Sequence, residues 1–435
     1  MGKYKAYEEY KDSGVEWLGQ IPTQWLIKKL KFICKVKTGS RDTENAIDDG
    51  QYPFFVRSQN VERIDSVGED CEAVLTAGDG VGVGKVFHYY IGKFDYHQRV
   101  YMLNNFTLVL GKFVYYYLSS NFYKVALEGN AKSTVDSLRL PQFLNFELSL
   151  PNAVTQKKII EFLDYETAKI DELIEKQQNL IKLLKEKRQA VISHAVTKGL
   201  DPDAPMKDSG VEWLGEVPKH WGLINSKWLF AERKLRANIG EEMLTASQKH
   251  GIIPQKKFME LEGQKVVRVQ VGHDILKLVE PNDFVISMRS FQGGIEFSAV
   301  RGAVSSAYVP LVPASSVYVD YFKYLFKSGP YIQALQSTTN LVRDGQALRF
   351  ANFSQIDLPV IDTEEQKNIA NYLLNEIPKI NSLIDKAASL IELFKERREA
   401  LISAAVTGKI DVCDWQPPKQ TTAQKITRTT EEVTA

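Results

Sequence analysis

Gly78–Lys85, GDGVGVGK, is the stretch that looks most like a cradle for phosphate. A loop of the GxxxxGK[ST] type needs glycine where Asp79 stands and a hydroxyl residue where Val86 stands, so the pattern fails at both ends. It reads instead as a glycine-rich turn feeding the strand VGKVFHYY. The six histidines, His88, His97, His194, His220, His250 and His273, show neither HExxH nor Cys/His ligand spacing, which predicts no metal. Cys34, Cys71 and Cys413 are scattered and odd in number; they suit buried or inert thiols in a reducing cytoplasm. No Asn-Pro-Pro-Tyr or Asn-Pro-Pro-Phe signature is present, and no catalytic residue is nominated. What remains is polar clusters. The first half has VRSQN with Arg57, Gln59 and Asn60, YHQR with Gln98 and Arg99, and GNAKST with Asn130, Lys132 and Ser133. The second half has TASQKH with Gln248, MRSFQGG with Arg289, Ser290 and Gln292, VSSAY with Ser305 and Ser306, and TTNLVRDGQ with Asn340, Arg343 and Gln346. Forked guanidinium and amide groups recognise; they do not make or break bonds.

These clusters need elements to hold them. At 435 residues the chain is too long for one ordinary core. Its 44% hydrophobic and 25% charged residues are those of a globular protein, and no run of about 18 apolar residues is available to span a bilayer. The start, MGKYKAYEEYKDSG, lacks the apolar stretch of a signal peptide. Net charge is only +1, so any polyanion must be met by local basic groups balanced by acids elsewhere.

The chain repeats itself. KDSGVEWLGQIPTQW from Lys11 to Trp25 returns as KDSGVEWLGEVPKHW from Lys207 to Trp221, with eleven of fifteen positions identical. A second pair follows: the segments Gln156 to Asp201 and Gln366 to Asp411 align without a gap, and LRLPQF at Leu138 matches LRFANF at Leu348. A repeat of this length is a duplication of domains, since solenoid periods run about 20–50 residues. Each half is a short peptide, a variable region and a long helix.

Both long segments carry 3,4-spaced apolar residues. The first seam is Ile170, Leu173, Leu180, Leu184 and Val191; the second is Ile380, Leu383, Leu390, Phe394 and Leu401. Such spacing predicts a coiled coil, with Gly199 and Gly408 stopping the helices. About eight residues link the end of the first helix to the second half, so paired helices must run antiparallel, with the variable regions at opposite ends. The short peptide then packs, through its tryptophans and apolar residues, where a long helix ends and a variable region begins.

Two copies of DSGVEWLG.(I/V)P..W, two variable regions and two matching helices resemble the specificity subunit of type I restriction-modification systems. The resemblance covers roughly residues 11–411. It implies a mixed α/β fold: two pseudo-twofold-related globular α+β target-recognition domains separated by a long antiparallel two-helix coiled coil. The expected segments are a bracket at 1–25, target-recognition domains at 26–150 and 222–358, long helices at 151–200 and 359–411, a linker and second bracket at 201–221, and a disordered tail at 412–435. It implies a non-catalytic cytoplasmic protein with no cofactor of its own, bound to no membrane. Its expected partners are double-stranded DNA, two modification (methyltransferase) subunits and restriction (translocase-nuclease) subunits, with S-adenosylmethionine, ATP and Mg2+ used by those partners. Each variable region would read one half of a split site. Arginine suits guanine, and asparagine or glutamine suits adenine, whereas Lys, Ser and Thr suit phosphates. On that basis the clusters above, together with Lys85, become DNA-contact candidates, led by Arg57 with Gln59 and Arg289 with Gln292. A stand-alone, repressor-like DNA-binding protein is the alternative; the low net charge and long docking helices argue against it.

Overall fold

The computed structural model describes residues 4–126, 137–263, 275–338 and 348–418. It divides into two compact units, one built from residues 1–177 and 389–435 and the other from 178–388. The division passes through both long helices, Ala153–Lys198 and Thr363–Val406, so each unit holds part of each. Each variable region is closed by an antiparallel pair of its own first and last strands. Leu26–Lys29 pairs with Glu147–Leu150, and Gly222–Asn225 pairs with Asp357–Val360.

In the first unit six strands form one sheet, in the order Lys35–Thr38, Val100–Asn104, Glu69–Ala77, Phe87–Tyr96, Tyr52–Phe55, Glu62–Ile64. Only the pair Tyr52–Phe55 and Phe87–Tyr96 is parallel. Side chains alternate across a strand. Val74 and Leu103 therefore enter the main core with Phe113, Tyr117 and Phe162, while Leu75 and Met102 join Phe55, Phe94 and Tyr96 on the other face. The second unit has a four-stranded sheet, Phe230–Glu232, Val309–Pro313, Phe284–Ile286 and Glu296–Phe297, plus small ribbons. VDYFKYLFKSGPYIQAL, which reads as helical, is two helices, Val319–Leu325 and Gly329–Ser337. Ser328 has extended backbone and caps the second helix, and Pro330 fits its first turn, where no amide partner is needed. The strand candidate KVVRVQV lies outside the described residues.

The repeated peptide is a two-stranded clip on a helix end. In the first unit Tyr10–Asp12 pairs with Gln20–Pro22, and Leu18, Ile21 and Trp25 are buried with Ala405 and Val406 of the second long helix. In the second unit Met206–Asp208 pairs with Glu216–Pro218, and Leu214, Val217 and Trp221 are buried with Ala195 and Val196 of the first long helix. A lysine just past or at each helix end locks the clip. Lys409 Nζ donates to the carbonyls of Leu18 (3.3 Å) and Gln20 (2.7 Å); Lys198 Nζ donates to those of Leu214 (2.9 Å) and Glu216. Each half thus uses the peptide to fasten the end of a long helix to a globular core.

The other end of each helix is fastened as well, by a buried glutamine. Gln156 Nε2 donates to the carbonyls of Leu108 (3.1 Å) and Pro151 (2.9 Å), and its Oε1 accepts from the Leu110 amide at 2.9 Å. Gln366 repeats the set with Ser316 (3.2 Å), Ile361 (2.8 Å) and the Tyr318 amide (2.8 Å).

Within each unit the helix segments run antiparallel, and the seam differs from expectation by one residue. In the first unit Asp171 pairs with Arg398 at 2.9 Å; in the second Arg188 Nη1 donates to Asn381 Oδ1 at 2.8 Å. Ile170, Leu184, Val191, Ile380, Phe394 and Leu401 do face inward or lie half-buried. Leu173, Leu180, Leu383 and Leu390 are exposed, and Ile174, Ile181, Ile384 and Ile391 take their places. Spacing alone could not choose, because adjacent apolar residues after a shared seam position satisfy a 3,4 and a 4,3 alternation equally well. Two neighbours give a sharp test: Ile391 is 7% exposed and Leu390 is 41% exposed. Ile391→Ala is expected to cost about 2–4 kcal/mol and Leu390→Ala under about 1 kcal/mol, read as shifts in a denaturation midpoint. Equal losses would restore the leucine seam.

The expected disordered tail begins with ordered residues. Val412 is buried, and Trp415 packs edge-on against Phe162 at 5.4 Å. Residues 419–435 lie outside the described part.

Candidate nucleic-acid interface

In the first unit the polar candidates converge because three loops touch. The loop after Glu69–Ala77 lies against the turn after Tyr52–Phe55: a side chain at Gly82 would sit 2.4 Å from the Arg57 carbonyl oxygen, so only glycine fits. The amide of Gly78 donates to the Arg99 carbonyl at 2.8 Å, which brings in the third loop. Asp79 stands at the junction. Its Oδ1 accepts from Arg57 Nη1 at 3.0 Å, and its Oδ2 lies 3.7 Å from Arg99 Nη1. A cleft of about 400 Å³ opens on one side, lined by Thr43, Arg57, Ser58, Glu62 and Asp79 among others. A second, of about 300 Å³, opens on the other, lined by Asp79, Gln98, Arg99, Tyr101 and Leu138 among others. Gln59, Asn60 and Lys85 are exposed on the same loops.

A polar layer supports this surface. Gln98 Nε2 donates to Asp42 at 2.6 Å, and the Thr43 amide donates to the same carboxylate at 2.7 Å, which lowers its pKa from the usual value. Burial lowers the pKa of His97, with the Arg57 charge adding to it, so at neutral pH the ring is uncharged. Its 3.7 Å approach to Asp42 is then no ion pair. Arg41 reaches buried Asp95 at 3.2 Å.

In the second unit the candidates fall into two groups. Arg289 and Gln292 are exposed at the short helix Ser290–Gly293, and the Gln248 side chain lies along the Gly293 backbone. Ser290 is not a contact. It is fully buried, and its hydroxyl accepts from the Ser287 amide at 2.9 Å, shaping the turn that presents its neighbours. Beneath the turn Lys327 Nζ donates to the Gly293 carbonyl at 2.8 Å and to Glu296 at 2.5 Å. Burial raises the Glu296 pKa while Lys327 opposes the shift. Ser306 is exposed elsewhere, on a cleft of about 710 Å³ with Lys277, Leu348 and Arg349. The Ser305 hydroxyl accepts from the Ala307 amide at 3.3 Å. Asn130, Lys132, Ser133, Asn340, Arg343 and Gln346 lie outside the described residues.

Sequence reasoning passed over Asp79, Asp42, Lys277 and Arg349. Asp79 was visible only as the residue that spoils a phosphate loop. Among the described residues no cluster of His, Cys, Asp and Glu could hold a metal ion, and no helix is long and apolar enough to cross a membrane. Burial pushes the Cys34 thiol up to about 12; Cys413 is exposed.

Residues 22–183 match the family described as type I restriction modification DNA specificity domain. That stretch, 162 of the 435 residues, is similar to a specificity domain of type I restriction-modification systems. A curated relative is the type I restriction enzyme EcoDI specificity subunit of Escherichia coli, 33% identical over 212 residues. The match takes in 49% of this chain and 43% of that protein, under half of the relative's length. A chain solved in a study of complex assembly and conformational transition of the type I R-M system aligns over 89% of this chain and 98% of its own. It has a TM-score of 0.62 at 13% identity, a likeness of fold. The HsdS subunit of Thermoanaerobacter tengcongensis aligns over 90% and 98%, at 14% identity and a TM-score of 0.49. The resemblance to specificity subunits and the mixed α/β class with two units and two long helices therefore stand. The loops around Asp79 lie within the matched residues 22–183.

Proposed function

We propose that this chain reads double-stranded DNA in two parts, one with each unit, for a type I restriction-modification complex. The observation that carries the reading is the convergence of Arg57, Gln98 and Arg99 on two open clefts inside the specificity domain. Arginine and amide groups on loops, held by acids beneath, match the edges of bases in a major groove. The second unit offers Arg289, Gln292 and Gln248 in the same capacity. Modification subunits would dock on the paired helices. Support comes from leucines left exposed at matching places: Leu173, Leu390 and Leu393 in the first unit, Leu180, Leu183 and Leu383 in the second. Restriction subunits would join that core. The partners would supply S-adenosylmethionine, ATP and Mg2+ chemistry, and this chain none.

The test is Arg57→Ala in the assembled complex. If Arg57 forks onto guanine, the variant should lose about 1–3 kcal/mol of binding to the target and accept other bases at one position. Methylation sequencing of a host carrying the variant reads this directly. An equal loss on every DNA sequence would make Arg57 a phosphate contact.

A further inference from the structure

Just past the strand that opens each variable region, both units expose a lysine and an aromatic ring on a 3-10 turn. The turns are Leu30–Phe32 and Ser226–Trp228. Phe32 is 63% exposed and Trp228 is 69% exposed. Lys31 Nζ sits 5.2 Å over the Phe32 ring, and Lys227 Nζ sits 5.8 Å over the Trp228 ring. The two pairs occupy equivalent places in the repeat, the same step apart as Trp25 and Trp221. The turns are also anchored alike, by the Leu30 amide on the Phe146 carbonyl (2.9 Å) and the Ser226 amide on the Ile356 carbonyl (3.0 Å).

A single exposed aromatic needs no explanation, but its recurrence at one place in two otherwise different variable regions calls for a use. Charge indicates which. Lys35 and Lys234 follow the rings, and Lys31, Lys35, Lys227 and Lys234 have no acidic partner among the described residues. In the second unit Lys227, Trp228, Lys234 and Phe350 line one cleft with Glu232, and Glu232 and Phe350 continue into the next with Arg349, the candidate Ser306 and Lys277, which lies 3.7 Å from Glu232. In the first unit Arg139 stands where Arg349 does, at the start of the corresponding short helix. A strip in which Lys227, Lys234 and Arg349 outnumber the one acid, Glu232, with an apolar ring in it, fits a sugar–phosphate backbone.

We propose that Lys31–Phe32 and Lys227–Trp228 are paired seats for the DNA backbone, flanking the base-reading loops and indifferent to sequence. The proposal rests on the DNA-reading function above. Each lysine that meets a phosphate releases a counterion and adds about 0.9 to the slope of log affinity against log salt.

The experiment uses the full chain with its host's modification subunits and a duplex of random sequence. The double variants Lys31→Ala/Lys35→Ala and Lys227→Ala/Lys234→Ala are exposed-residue changes whose folding is checked by thermal unfolding. Each is expected to lower the salt slope by about 2 and to weaken target and random duplexes by the same factor. Trp228→Phe should bind as the parent does, while Trp228→Ala should bind several-fold more weakly. An unchanged slope in both double variants, with the parent binding DNA normally, overturns the seats and leaves the reading function intact. So does an unchanged slope with loss of the modification subunits, which would assign the strip to a protein. If the parent complex itself fails to bind any duplex, it is the reading function that falls.

Discussion

Gln366→Leu is expected to lower the stability of the second unit by about 3–5 kcal/mol. The amide is buried and holds three backbone groups, the carbonyls of Ser316 and Ile361 and the amide of Tyr318. Leucine has similar bulk but satisfies none of them. A buried polar group left without a partner costs about 1–3 kcal/mol, and the gain from a more apolar side chain offsets only part of three such losses. Gln156→Leu should do the same to the first unit, since it strands Leu108, Pro151 and Leu110. The readout is the midpoint of guanidinium unfolding with a probe in the unit concerned. A loss below about 1 kcal/mol in either variant would mean that water replaces the amide and that the fastening is incidental.

Gly408→Ala should be far more damaging than Gly199→Ala, although the two glycines end equivalent helices. Both have left-handed backbone, φ 75° and 79°, which costs a residue with a Cβ about 1–2 kcal/mol. Space separates them. A Cβ at Gly408 would lie 2.4 Å from the Pro22 ring and 3.3 Å from Trp25, whereas one at Gly199 would meet nothing closer than 3.5 Å. Gly199→Ala is therefore expected to cost only the backbone strain. Gly408→Ala must also push the clip off the helix end, for a total of about 3–5 kcal/mol. Pro22→Ala should recover part of that loss by removing the ring atoms in the way. Equal costs for the two glycines, measured by thermal unfolding, would contradict the packing described for the first clip.

Much of this architecture is legible in the residues because duplication prints it twice. Trp25 and Trp221 recur at a fixed step, and so do the helix-ending segments, which is enough to infer that each peptide closes on a helix end. The locking lysine is harder to see, because the two copies exchange its order with glycine: Lys198 precedes Gly199, while Gly408 precedes Lys409. The seam was misplaced by one residue at Leu173, Leu180, Leu383 and Leu390, since an isoleucine follows each leucine and period alone weighs them equally. Gln156 and Gln366 were visible as a repeated letter without a role. A glutamine early in a helix reads as solvated unless the loops folded over it are known. The candidate site was half legible. Arg57, Gln98 and Arg99 stand out by chemical type, but the carboxylates that hold them, Asp79 for the two arginines and Asp42 for Gln98, come from separate loops. No spacing rule connects residues 57, 79 and 99.

The central claim is that each unit reads its own part of the DNA site. Replacing residues 26–150 with the first variable region of a known type I specificity subunit tests it most directly. The closing strands Leu26–Lys29 and Glu147–Leu150 lie next to each other, so the exchange is made across one strand pair. The chimera is expressed with the modification subunits proposed as its partners, and methylated positions are mapped across the host genome. The account predicts a modified site in which one half is new and the other half is unchanged. A site altered in both halves, or not altered at all, would contradict it.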